Sequence, residues 1–460
     1  MKQFDRRKFI QTTSLSAAFA SSTSLFSNNL RSSNQKYMGN FAAPKLDKIK
    51  IAFIGVGHRG IGHIMRFSSF PNTQIVAICD LYETNILKSE SIIKNLKTYN
   101  TNIKLKTYWG NENKWKIMLK ETDADIVIIS TDWNNHGVMA IETMKNNMHA
   151  FVEVPMANSI KELWEIVNTS EKYQKHCMML ENVNYGREEL MFLNICRKGL
   201  LGELYHGEAA YIHDLRYQMY EEEIGTGSWR TLQYEKNKGN LYPTHGLGPV
   251  SQYMNLLRNE DTFKSLVSFS SPALGREKFA TENFSANHKW NKLNYQNGDI
   301  NTTIIKTYLG RTIMVQWDET SPRPYTRLNL IQGTRGILAG GPTRAAFDDG
   351  FEGFSNNSKE WLKGDGIDAL YEKYDHPMYK RLNQITKDLG HGGMDGIMIY
   401  RIIECLRNGK PLDQNVYEGC AWSSLIELTS ISVNNNGQPQ EFPDFTRGNW
   451  VDTNTFDIIP

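Results

Sequence analysis

Cysteine is scarce in this 460-residue chain, and Cys79, Cys177, Cys196, Cys405 and Cys420 stand far apart in apolar stretches. Without close paired spacing they make neither a disulfide framework nor a zinc motif, and they read as buried thiols. An excess of one charge is also missing: 52 Lys and Arg against 50 Asp and Glu leave a net +2. No basic run interleaves with aromatics, which argues against a nucleic-acid partner. Beyond the N-terminus, no segment approaches the roughly 18 uninterrupted apolar residues of a membrane span. Internal repeats are absent, and His213, His245 and His391 share no metal-ligand spacing, so no metal is expected. The length exceeds that of one ordinary domain and points to two domains sharing a cleft.

What is present begins with an apolar strand, Ile49 to Ile54, running into Gly55-x-Gly57-x-x-Gly60. The first glycine makes a tight turn, the second lets backbone N–H groups approach a pyrophosphate, and the third lets helix and strand pack closely. Asp80 closes the next apolar run, Gln74 to Cys79, at the distance where an acid accepts from a ribose 2′-hydroxyl and repels a 2′-phosphate. The cofactor expected is therefore NAD rather than NADP.

Strands and helical stretches then alternate. Ala124 to Thr131 is a buried-strand run ending in the polar Asp132-Trp133-Asn134-Asn135-His136, and Met148 to Pro155 is another. Alternation of this kind indicates a doubly wound parallel sheet, whose ligands bind beyond the carboxyl ends of the strands. Trp133 to His136, Glu153-Val154 and Asn182 thus point toward one crevice. From about residue 200 the runs change to alternating strands: 203–211, 262–270, 302–308, 312–317 and 326–331. Gaps such as Leu309-Gly310-Arg311 predict hairpins in a largely antiparallel sheet. The fold class is α/β: an N-terminal Rossmann domain, 47–180, followed by an α+β domain with a largely antiparallel sheet, 181–460.

Ahead of them, Arg6-Arg7-Lys8-Phe9-Ile10 opens a weakly apolar stretch ending in Ala18-Phe19-Ala20. That order resembles a twin-arginine export signal, 1–20, with 21–46 as a Ser- and Asn-rich tether. The expectation is an exported, periplasmic protein. Cleavage after Ala20 and a homo-oligomeric state are left open.

From residue 47 onward the chain resembles the glucose–fructose oxidoreductase, inositol dehydrogenase and MocA superfamily. Dehydrogenases of that group end the strand near 150–155 in Glu-Lys-Pro, whereas this sequence has Glu153-Val154-Pro155 and so lacks their usual base. Tyr242-Pro-Thr-His-Gly-Leu-Gly-Pro249, Ser321-Pro-Arg-Pro-Tyr325, Glu181-Asn-Val-Asn-Tyr185 and Gly390-His-Gly-Gly-Met-Asp395 narrow the resemblance to glycoside hydrolase family 109, the NAD-dependent α-N-acetylgalactosaminidases.

That resemblance implies NAD against Gly55, Gly57, Arg59, Gly60, Asp80, Trp133, Asn134, Asn135, His136, Glu153, Val154, Asn182 and Tyr242. It implies a terminal N-acetylgalactosamine against Tyr211, Arg230, Tyr242, Pro243, Thr244, His245 and Tyr325, and chemistry by His391, Tyr242, His245 and Tyr185. Leu389 stands where the family has the first glycine of its Gly-Gly-His-Gly-Gly loop. The implied route oxidises a ring hydroxyl, removes the acidified C2 proton, expels the C1 substituent, adds water and returns the hydride. It does without the carboxylate pair of most glycosidases. Tyrosine and histidine suit the proton transfers where neighbours adjust their pKa values. By residue type alone, Tyr185, Tyr242 and Tyr325 are equally compatible with core or cleft-wall packing. Alternatives from other classes are an NAD-dependent sugar oxidoreductase, with Tyr242 or His245 replacing the missing lysine, and a non-catalytic NAD- and sugar-binding sensor.

Overall fold

The computed structural model describes residues 31–96 and 104–455; the twin-arginine stretch lies outside them. Six strands form a parallel sheet: β1 (Ile49–Ile54), β2 (Thr73–Cys79), β3 (Lys106–Tyr108), β4 (Ile126–Ile129), β5 (His149–Val152) and β6 (Cys177–Met179). Their order is β3-β2-β1-β4-β5-β6, with every pair parallel. Every residue of β2, β4 and β5 is buried. Helices cover both faces of such a sheet, and its strands become continuous Ile/Val/Ala runs. Each fully buried Ile or Val contributes roughly 1.5–3 kcal/mol relative to exposure.

The second sheet has eight strands: β7 (Leu204–Ile212), β8 (Phe263–Ser270), β9 (Asn301–Thr307), β10 (Thr312–Asp318), β11 (Leu330–Gly333), β12 (Gly336–Ala339), β13 (Arg344–Phe347) and β14 (Gln440–Glu441). The order is β13-β12-β11-β7-β10-β9-β8-β14. Only the central β7–β10 pair is parallel. The hairpin expected around Leu309-Gly310-Arg311 joins β9 to β10. The strand expected over 326–331 starts only at Leu330. Leu328 and Asn329 take left-handed backbone, φ 56° and 50°, leaving Thr326 an isolated bridge to Ile212.

Two departures concern domain limits. The tether expected over 21–46 is packed from Arg31 on: Tyr37 stacks on Tyr417 with ring centroids 4.9 Å apart, and Met38 and Ala43 are buried. Arg31 bonds to Glu171 at 2.9 Å and to Asn449 at 2.7 Å. The nucleotide domain is likewise not closed at residue 180, because the helix Met394–Asn408 packs on β1 and on the helix His58–Phe67. The helix Val416–Ser423 similarly lies on β6 and on the helix Ile160–Tyr173. Ser423 Oγ accepts from Met156 N at 3.0 Å, and Glu427 accepts from Ile160 N at 2.6 Å. All five cysteines are free, and all but Cys196 are fully buried.

Candidate active site

The nucleotide cradle follows from the three glycines. Gly55 has φ 81°, and a Cβ there would collide with the Ser130 carbonyl. A Cβ on Gly60 would collide with the Gly55 carbonyl oxygen, whereas one on Gly57 would meet nothing nearer than Asn85 Nδ2 at 3.8 Å. No side chain caps the helix His58–Phe67 at Gly57. Its N-terminal amides and open frontage suit a pyrophosphate. Asp80 sits at the end of β2, its Oδ2 accepting from Val56 N at 2.8 Å and its Oδ1 from Tyr82 N at 2.9 Å and Asn85 Nδ2 at 3.0 Å. A carboxylate offers about four acceptor sites. Capacity for a ribose hydroxyl therefore remains, and the cradle fits NAD.

At the carboxyl end of β4, Asp132 caps the helix Trp133–Lys145, accepting from Asn134 N at 3.1 Å and Asn135 Nδ2 at 2.5 Å. Asn134 Oδ1 accepts from Asn158 at 3.3 Å. His136 meets backbone on both sides, Nδ1 at 2.7 Å from Pro155 O and Nε2 at 3.1 Å from Thr131 O. Burial pushes its pKa down. It braces the loops after β4 and β5.

The end of β5 opens into an ion network. Glu153 Oε1 accepts from Arg59 Nε and faces His63 Nε2, each at 2.6 Å. Burial opposes ionisation of Glu153, but the Arg59 charge and the His63 hydrogen bond outweigh it and hold the carboxyl well below its usual range. Arg59 Nη1 continues to Asp395 at 2.8 Å, and Asn182 Nδ2 donates to the same carboxylate at 2.7 Å. Asp395 Oδ2 lies 2.9 Å from His391 Nδ1. Val154, buried beside Glu153, offers no proton-transfer group.

Tyrosines, a tryptophan and a histidine form an aromatic cluster around Tyr242. Tyr242 packs on Tyr211 with centroids 4.4 Å apart, on His245 at 4.9 Å and on Trp133 at 5.9 Å. Tyr325 lies edge-on to Tyr211 at 6.1 Å. The Arg230 guanidinium sits 4.7 Å from the Trp133 ring and 5.4 Å from that of Tyr242, donates to Glu319 at 3.3 Å, and leaves Nε without a partner. Glu319 is held in turn by the Tyr234 hydroxyl at 2.5 Å. Pro243 precedes the helix Thr244–Tyr253, where the Thr244 hydroxyl is buried and unpaired. Near the N-terminus of that helix, His245 Nδ1 lies 2.7 Å from Glu181 Oε1.

Burial raises the phenol pKa of Tyr242 well above its ordinary value and that of Tyr211 likewise, with charged neighbours secondary. Burial thus works against loss of either phenol proton, opposite to the sequence expectation that neighbours would ease the Tyr242 proton, and the Tyr211 hydroxyl lies 3.0 Å from His213 Nδ1. Tyr185 does not join the cluster. It is buried, and its hydroxyl donates to Asp413 at 3.2 Å within an Arg401–Asp413 pair. Sequence reasoning passed over Glu181, Asp395, Glu319 and His63 as functional residues. Asp395 carried a readable signal, four residues after His391; Glu319 carried none.

A parallel nucleotide domain joined to a mostly antiparallel sheet, with an aromatic cluster that reaches Trp133 beyond the carboxyl end of β4, defines a protein with an NAD-binding fold of the oxidoreductase type. Residues 49–181 match the model of the oxidoreductase family with an NAD-binding Rossmann fold, and residues 185–452 match the glycosyl hydrolase 109 C-terminal domain. The chain belongs to glycosyl hydrolase family 109. It is 56% identical over 425 residues to glycosyl hydrolase family 109 protein 1 of Akkermansia muciniphila, covering 92% of this chain and 87% of that one. To a family 109 protein of Shewanella putrefaciens it is 48% identical over 467 residues, with both chains fully covered. Levoglucosan dehydrogenase, solved with NADH and levoglucosan, shares the fold at TM-score 0.63 and 15% identity, covering 86% of this chain and all of that one.

Proposed function

We propose that this family 109 hydrolase removes terminal N-acetylgalactosamine by oxidation, elimination, addition and reduction, with NAD restored in each turnover. The observation that carries it is the pair of imidazoles, His245 on Glu181 and His391 on Asp395, each backed by a buried carboxylate beside the nucleotide cradle. When bound, NAD supplies reversible oxidation of a ring hydroxyl, which acidifies the neighbouring C2–H. Tyr211, Tyr242 and Tyr325 form a platform for the sugar, and Arg230 aims directed N–H groups at hydroxyl or amide oxygens. Nε2 of His245, left free by the Glu181 contact, takes the C2 proton. His391, whose side chain is 58% exposed, donates to the departing oxygen, and its openness suits leaving groups of different size. Water then adds with the two imidazoles in reversed roles.

The test offers a chromogenic α-N-acetylgalactosaminide without added nicotinamide in deuterated water. Cleavage with deuterium at C2 of the released sugar is expected. Cleavage with C2 hydrogen fully retained overturns the route. Accumulation of NADH with free sugars marks a sugar oxidoreductase instead, and neither activity marks a non-catalytic sensor. Export through the twin-arginine signal is part of this proposal. Replacing Arg6 and Arg7 by lysine should hold the protein in the cytoplasm, and an unchanged distribution on fractionation refutes it.

A further inference from the structure

Asp395 lies in the first turn of the helix Met394–Asn408, with its side chain wholly buried. Oδ1 accepts from Asn182 Nδ2 at 2.7 Å and Arg59 Nη2 at 3.2 Å. Oδ2 accepts from Arg59 Nη1 at 2.8 Å and lies 3.2 Å from Arg66 Nη2 and 2.9 Å from His391 Nδ1. Arg59 and Arg66 are already balanced in charge by Asp395 and Glu153. The imidazole is therefore not needed for neutrality.

Nothing else described fixes the direction of that imidazole. His391 has φ 46° and is flanked by Gly390 at 90°, Gly392 at 65° and Gly393 at 99°. A left-handed φ costs a residue with a Cβ about 1–2 kcal/mol, and the flanking glycines bring no side chains against the imidazole. The side chain is also too exposed for packing to orient it. Burial opposes ionisation of Asp395, yet the His391 contact and the guanidinium of Arg59 hold its carboxyl well below the usual range. An ionised carboxylate only accepts, so Nδ1 of His391 must carry the proton. Nε2 becomes the working nitrogen: as the acid it carries the second proton of an imidazolium held by the Asp395 carboxylate, passes that proton to the leaving oxygen and is left bare in the Nδ1–H imidazole.

We propose that Asp395 is the positioning residue of His391. It selects the Nδ1–H tautomer and fixes the imidazole against the helix that begins the nucleotide cradle. The proposal rests on reading His391 as the acid at the leaving oxygen, and its test separates the two. Asp395→Asn keeps an acceptor for Arg59 and Asn182 but can turn an N–H toward His391, which would force the proton onto Nε2. An equivalent exchange in serine-protease triads costs about 10⁴-fold in kcat through the wrong tautomer.

Nitrogen-15 spectra of histidine-labelled protein are expected to show His391 as Nδ1–H in the native chain and as Nε2–H in the variant. Cleavage of glycosides with poor leaving groups should fall by about 10²–10⁴-fold, with activated aryl glycosides spared and KM little changed. An unchanged tautomer overturns the positioning role whatever the activity. A switched tautomer with full cleavage of poor leaving groups upholds the positioning role and removes His391 as the acid. Should the single variant fail to fold with Arg66 left unbalanced, Arg66→Met with Asp395→Asn restores charge balance and is read by the same spectra.

Discussion

Nδ1 of His245 lies 2.7 Å from the wholly buried carboxylate of Glu181, two residues past the end of β6. The same carboxylate oxygen accepts from Val183 N at 3.1 Å. The backbone turn that ends the strand thus also aims the imidazole. The next residue, Asn182, reaches Asp395. One dipeptide consequently supports both histidines of the proposed chemistry.

Glu181→Gln should therefore slow cleavage of activated and unactivated glycosides alike, since proton removal at C2 precedes both departures. The loss should approach the roughly 10²–10⁴-fold that a general base contributes. Steady-state rates for the two substrate types provide the measurement. A loss confined to poor leaving groups would assign His245 to the leaving oxygen instead.

Gly57→Ala and Gly60→Ala should separate. A methyl at 57 enters open space, so that variant should fold with an unchanged melting temperature and bind NAD more weakly, because the methyl occupies the pyrophosphate frontage. A methyl at 60 meets the Gly55 carbonyl and should lower the melting temperature of the cofactor-free protein. Calorimetric titration with NAD and thermal unfolding together report both effects. Equal behaviour of the two variants would contradict the cradle geometry.

Acid should destabilise the fold through buried histidines. His149 Nδ1 accepts from His176 N at 2.9 Å and His376 Nδ1 from Met378 N at 3.1 Å, roles that require an unprotonated nitrogen. Burial lowers their pKa values to about 3 and about 4, with Lys175 adding to the shift at His149 and Asp413 opposing it at His376. The unfolded chain, with histidine near 6.5, binds the extra protons. Stability is then complete above about pH 6.5 and is lost as pH falls toward about 4, by about 1.4 kcal/mol per pH unit for each residue. His376→Asn keeps a cap acceptor and should flatten the fall of melting temperature between pH 7 and 5. An unflattened curve would show that His376 takes no part.

The fold was legible where the signal is local. Ile49 to Gly60, the β4 and β5 runs and the Leu309–Arg311 hairpin show themselves within a dozen residues. The fold-back of the helices 394–408 and 416–423 onto the nucleotide domain was not, since they are apolar on faces whose partners lie more than 200 residues away. Tyr185 misled because motif membership says nothing of burial. In the site, both histidines were found, but their carboxylates were not given roles: Glu181 and Asp395 acquire function from pairings made only by tertiary packing.

Arg31 and Arg447 both rest on one buried carboxylate, Glu171, which also accepts from the Tyr417 hydroxyl at 2.7 Å. The earliest and latest described parts of the chain are thereby read by one residue between them. That knot cannot close until residue 447 has left the ribosome. A chain stopped short of residue 447 leaves Glu171 without the second arginine, so the two ends of this span are fixed together or not at all.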